Sequence, residues 1–150
     1  MAALIDTIAS YFEKDGWSFR RLGKHPALEM GVAGDHGNYR VVVVAEEERS
    51  IVRFLTFIEG KIPEPRRRDT MEYLTRANYG LLLGNFELDL EDGEVRFRCS
   101  VDTENQEFSY AQYQGMLYTS VAVLDRYTPG LQRVIQGSAD PAAAIAEVEQ

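Results

Sequence analysis

Cysteine is nearly absent. Cys99 is the only one in 150 residues, which excludes an intramolecular disulfide and suits a reducing cytoplasm. Histidine is almost as scarce: His25 and His36 stand alone, with no His or Cys at metal-ligand spacing. No run of about 18 apolar residues occurs, so no transmembrane helix is expected. The start, Met1-Ala2-Ala3-Leu4-Ile5-Asp6, lacks the basic segment of a signal peptide. Basic residues are outnumbered, 16 against 24 acidic ones, for a net charge of −8, which argues against general binding to nucleic acid or anionic membranes. No P-loop, dinucleotide fingerprint or Ser–His–Asp set is present, and Gly23, Gly31 and Gly34 fit neither glycine spacing. No cofactor or metal is called for, and no enzyme is expected.

What is there reads as one ordinary globular unit over residues 1–150. Hydrophobic content is 45% and charged content 27%. A chain this long buries about 68–70% of its unfolded surface, enough to fold without a staple.

Gly84 to Val101 is the most legible stretch. Asp92-Gly93 is a strong type I′ turn signal. A two-residue turn there sets Leu90 against Val95, Leu88 against Phe97 and Phe86 against Cys99, with Asp89–Arg96 and Glu87–Arg98 on the other face. A one-residue slip would turn every side chain over.

Apolar spacing predicts an amphipathic helix over 2–14, with Leu4, Ile5, Ile8, Ala9 and Phe12 inward and Gly16 as its stop. Strands follow at Trp17–Arg20, Leu28–Ala33, Tyr39–Glu46 and Ile51–Ile58; Pro63 and Pro65 end the sheet run. A second helix is expected from Arg66 to Leu82, with Met71, Leu74, Asn78 and Leu81 on one stripe. Ser109 and Gln112 form a capping box, flanked by Phe108 and Tyr113, for a third helix whose stripe reaches Tyr127. Pro129 predicts a kink or restart, and Gly137 a stop. Asp140-Pro141 starts a short final helix with only Ile145 and Val148 to bury. The order α-β-β-β-β-α-β-β-α-α implies an α+β fold: a single antiparallel sheet with helices mainly on one face.

These motifs together resemble the YbjN family of bacterial proteins. They are Asn78-Tyr79-Gly80, Gly84 to Asp89, Asp92 to Arg98, Asp125-Arg126-Tyr127-Thr128-Pro129, Val134 to Gly137, and Asp140-Pro141 with Ala144-Ile145, a match over about residues 10–146. The resemblance implies a type III secretion chaperone-like fold: small, acidic, usually dimeric proteins that bind segments of other proteins. It also implies a sensory transduction regulator without agreed catalytic residues.

A half-covered sheet leaves one face to explain. On the third strand Arg40 shares a face with Val42 and Val44; on the fourth, Arg53 shares one with Ile51, Leu55 and Phe57. An even-length loop puts both sets on the same side. Tyr39, Val41, Val43, Val52, Phe54 and Ile58 then belong to the core under the helices. Val42, Val44, Ile51, Leu55 and Phe57 form the expected protein-binding or dimer patch, with Arg40 and Arg53 as its rim. Burying five such side chains contributes roughly 8–15 kcal/mol gross, comparable to the about 4–15 kcal/mol cost of association. The competing expectation is a fourth strand covered on both faces within the monomer.

Other candidates read as structural. Arg66-Arg67-Arg68 is a basic run at a helix start, where cations oppose the dipole; with Arg20, Arg21 and Lys24 it could form a nucleic-acid footprint only on a shared surface. Glu46-Glu47-Glu48 reads as a solvated turn, and Glu87 and Asp89 as carboxylates kept ionised by arginines. Asn78 is expected to hydrogen-bond the turn before Gly84, Tyr127 and Pro129 to set helix packing, and Trp17 to plug the core. The resulting expectation is a cytoplasmic homodimer that binds a protein or peptide, chaperone-like or regulatory. The alternative is a nucleic-acid-associated regulator using the arginine clusters.

Overall fold

The computed structural model describes residues 3–150. Helix α1 spans Leu4–Lys14, helix α2 Arg67–Tyr79, helix α3 Tyr110–Gln136 and helix α4 Pro141–Val148. Six strands, β1 (Arg20–Arg21), β2 (Ala27–Ala33), β3 (Asn38–Glu46), β4 (Ile51–Phe57), β5 (Asn85–Leu88) and β6 (Val95–Asp102), form one antiparallel sheet in the order β1-β2-β3-β4-β6-β5. The expected first residue of α1, Ala2, lies outside the described residues.

Strand alternation divides the sheet into two faces. Leu28, Met30, Tyr39, Val41, Val43, Ala45, Val52, Phe54, Phe86, Val95, Phe97 and Cys99 point into the main core with Phe12, Tyr113, Leu117 and Leu124 of the helices. Burial pushes the Cys99 thiol up, so it stays protonated and inert. The α3 cap forms as its sequence dictates: Gln112 N–H donates to Ser109 Oγ at 3.1 Å, and Ser109 N–H to Gln112 Oε1 at 3.0 Å. Asp140 caps α4 through Ala143 N–H at 2.8 Å.

Four expectations need correction. The hairpin register is displaced by two residues: Leu88 faces Val95, Glu87 faces Arg96 and Phe86 faces Phe97. The connection is a longer loop, closed by Asp89 N–H to the Glu94 carbonyl at 2.9 Å, and Leu90 is thrown out to solvent. Tertiary contacts override the local turn preference. Ile62 N–H donates to the Gly93 carbonyl at 2.8 Å, and Arg67 reaches the carbonyls of Ile62, Leu90 and Glu91. A side chain at Gly93, φ +84°, would overlap the Ile62 backbone. A two-residue shift keeps parity, so each face retains its residues.

Secondly, α3 does not restart at Pro129; the helix carries the proline inside it. Thirdly, α2 buries Thr70, Tyr73, Leu74 and Ala77, and leaves Met71 exposed. Tyr73 Oη donates to the Tyr127 carbonyl at 2.7 Å, and Gly130 supplies the room. Finally, the first strand is only Arg20–Arg21, not Trp17–Arg20.

Candidate functional site on the helix-free sheet face

Pairing aligns the second sheet face into rows. Gly31, Arg40, Phe57, Arg96 and Glu87 lie across it in register, as do Arg20, Glu29, Val42, Leu55, Arg98 and Asn85. A third row is Ala27, Val44, Arg53 and Ser100, and Glu46, Ile51 and Asp102 end the face. Ala27, Val42, Leu55 and Phe57 form an apolar cluster separate from the main core, with Leu22 and Val44 packed against it.

No helix among the described residues covers them, yet Val42, Leu55 and Phe57 are only 7%, 5% and 7% exposed. The charged residues beside them supply the cover. The Arg40 guanidinium carbon lies 4.4 Å from the Phe57 ring centroid, and long arginine stems shield apolar surface while their heads stay wet. Val44 and Ile51 are half-buried. The free energy a partner gains from the apolar floor is therefore well below the sum for five fully exposed side chains.

The arginines are organised in triads. Glu29 pairs with Arg20 at 2.6 Å and Arg40 at 3.0 Å; hydrogen bonds from Arg20 and then Arg40 hold its carboxyl below the usual range. Glu87 pairs with Arg96 at 2.7 Å and Arg98 at 3.2 Å. Each triad carries one excess positive charge on a chain of net −8. Arg53 pairs with Glu46 at 2.6 Å. Arg98 Nε–H is buried without a hydrogen-bond partner. Shallow hollows flank the strip: one of about 380 Å³ near Arg40, Phe57 and Lys61, and one of about 860 Å³ near Ile51, Arg53 and Arg98.

The remaining sequence candidates scatter. Arg67 is spent on the hairpin loop. The Arg66 guanidinium packs against Gly137 after the C-terminus of α3, where positive charge suits the dipole. Arg20 and Arg21 pair with Glu29 and Asp6 at the opposite edge of the sheet, so the two arginine groups do not share a surface.

Asp125 draws the β2–β3 turn onto α3, accepting from Asp35 N–H (3.0 Å), His36 N–H (2.9 Å) and Tyr39 Oη (2.6 Å). Burial alone would raise its carboxyl, but those hydrogen bonds outweigh it and lower the pKa. Glu47 is not merely a solvated turn residue: it accepts the Leu4 and Ile5 N–H groups at 2.8 and 3.0 Å, capping α1 from 42 residues away. Asp89 accepts Glu91 N–H and makes no pair with Arg96. Tyr127 Oη donates to Glu149 at 2.6 Å, and Trp17 packs half-buried on the core. Among the described residues, no three His, Cys, Asp or Glu side chains group to hold a metal ion.

Sequence reasoning missed one surface. Met71, Tyr79, Leu82 and Leu83 protrude from α2 and the loop that follows it, Tyr79 and Leu82 at 96% and 97% exposure. The available signal was phase: Tyr73 and Ala77 complete the inward stripe better than Met71 and Leu81.

A model of the YbjN family, described as "Putative bacterial sensory transduction regulator", matches residues 4–133. The chain belongs to the YbjN family. The matched stretch stops short of the Val134–Gly137 and Asp140-Pro141 motifs. YbjN from E. coli, whose structure is described as that of "a putative transcription regulator", superposes with a TM-score of 0.64 at 14% identity, covering 81% of this chain and 85% of that one. A chain of the ExsC–ExsE complex superposes with a TM-score of 0.56 at 12% identity, covering 84% and 91%. At these identities the likeness is one of fold, and the fold is the α+β, type III secretion chaperone-like one. No curated protein matches this YbjN-family chain at a significant level. No helix among the described residues is long and apolar enough to cross a membrane.

Proposed function

We propose that residues 1–150 form a single YbjN-like domain acting as a non-enzymatic, cytoplasmic protein-binding module, chaperone-like or regulatory, and working as a homodimer. The observation that carries this reading is the second apolar cluster on the sheet face that no helix covers. Val42, Val44, Ile51, Leu55 and Phe57 are the floor of the recognition surface, with Arg40 and Arg53 at its rim. The family description as a regulator and the fold shared with a chain of the ExsC–ExsE complex support it.

The homodimer uses a different surface, the exposed Met71, Tyr79, Leu82 and Leu83. Large apolar side chains this exposed are unfavourable to leave in water when they gather on one surface. Sedimentation of the Tyr79→Ser/Leu82→Ser variant tests this: the mass falls to that of one chain while the circular dichroism stays unchanged. A wild-type protein that sediments as a single chain at high concentration removes the homodimer. A gel shift at low salt separates this function from a nucleic-acid-associated regulator; a retarded duplex would favour the latter.

A further inference from the structure

The same face carries a charge pattern that specifies its occupant, and this step rests on reading it as a recognition surface. The Arg20–Glu29–Arg40 and Arg96–Glu87–Arg98 triads lie on either side of Val42, Leu55 and Phe57, each with one carboxylate for two guanidiniums. Phe57 itself sits in one row between Arg40 and Arg96. Two strand spacings separate those arginines, about 10 Å. On the Leu55 side, the buried Arg98 Nε–H has no acceptor. The Arg98 side chain is nonetheless 37% exposed, so a carboxylate brought to that side meets its guanidinium in a charge-assisted contact.

We infer that this face binds an acidic segment of another protein in which carboxylates about 10 Å apart bracket an apolar side chain. The carboxylates take the excess charge of the two triads, and the apolar side chain settles on the floor beside Phe57 and Leu55. A second copy of the chain does not fit here, because turning the face against itself sets positive triad against positive triad. Nucleic acid fits poorly too: the strip between the triads is apolar, and the chain as a whole is −8.

Fluorescence anisotropy with labelled synthetic peptides of repeated Glu-Leu-Ser, Gln-Leu-Ser and Lys-Leu-Ser tests the inference. In each the charged positions recur every three residues, about 9 Å apart on one side of a polyproline II-like segment. The Glu peptide is expected to bind at least about tenfold tighter than the Gln peptide, about 1.4 kcal/mol, and to weaken as salt rises. The Arg40→Glu/Arg98→Glu variant, checked for folding by circular dichroism, is expected to reverse the preference toward the Lys peptide. Equal binding of the Gln peptide, tighter binding of the Lys peptide, displacement of the Glu peptide by single-stranded DNA, or no saturable binding at all overturns it. Equal Gln binding that Ile51→Glu abolishes removes only the acidic chemistry and leaves the recognition surface standing.

Discussion

The Asn78 carboxamide takes both outward backbone groups of Phe86: Phe86 N–H donates to its Oδ1 at 2.7 Å, and its Nδ2 donates to the Phe86 carbonyl at 3.1 Å. A side chain on α2 thus stands where a further strand would pair with β5, the edge of the sheet. Open edges invite association between chains, and this one is stoppered at its second residue. Asn78→Ala leaves the Phe86 N–H unpaired, its carbonyl keeping the Asn85 Nδ2 donor at 3.2 Å, and is expected to lower stability by about 1–3 kcal/mol. It should also raise light scattering at high concentration. A denaturation midpoint equal to that of the wild type would show that the edge needs no plug.

The tyrosines define an alkaline limit. Burial first, then a hydrogen bond to Glu149, pushes Tyr127 up to about 12. The Asp15 carboxylate, accepting from Tyr110 Oη, pushes that phenol up to about 12 as well. Burial also raises Tyr39, Tyr73 and Tyr113. A folded pKa above the unfolded value, ~10, means the contribution is full below pH ~10 and is lost as pH rises through the folded value. Stability followed by denaturant titration should therefore decline from about pH 10 upward. Tyr127→Phe removes one contributor and should flatten the decline. A profile level to pH ~12 would contradict the hydrogen-bonded phenols.

Two helical glycines should respond with opposite sign. A Cβ at Gly130 would overlap the Tyr73 hydroxyl, whereas Gly115, exposed on the same helix, has nothing within 4 Å of the same position. Gly130→Ala is expected to destabilise by about 1–3 kcal/mol through overpacking. Gly115→Ala should stabilise by roughly 0.5–1 kcal/mol by restricting the unfolded chain and favouring helix. Thermal unfolding of both variants decides the matter; equal shifts would mean that α2 and α3 are not packed as closely as Tyr73 and Gly130 indicate.

The remote cap on α1 gives a further comparison. Glu47→Ala frees the Leu4 and Ile5 N–H groups and should cost about 0.5–2 kcal/mol, with hydrogen exchange rising first at Leu4 and Ile5. Glu48→Ala, one residue along and without such a contact, serves as the control. Equal effects would remove the cap.

These residues also show where sequence reasoning reaches and stops. Local grammar carried through wherever a residue's partners are near in sequence: Ser109 with Gln112, Asp140 with Ala143, and the alternation along β3 and β4 that separates Val41 from Val42. It gave way where a distant group intervened. Asp92-Gly93 prefers a two-residue turn, but Ile62 and Arg67 hold that loop in another shape. Glu47 looks solvated until α1 is placed above it. The α2 stripe was misphased because Met71 and Leu81 are as apolar as the residues that are buried, and only Gly130 on a distant helix shows why Tyr73 turns inward. On the sheet face, alternation identified Val42, Leu55 and Phe57 as sharing one side. It could not show that Arg40 already lies over Phe57, or that the three are nearly buried.

The central claim, that the helix-free face recognises another protein, is tested most directly by parallel affinity capture from native lysate with three baits: wild type, Ile51→Glu/Arg53→Glu and Leu82→Ser. The account predicts that a protein held by the wild type is lost from the sheet-face variant and kept by the loop variant. Identical captured proteins on the wild type and the sheet-face variant would contradict it.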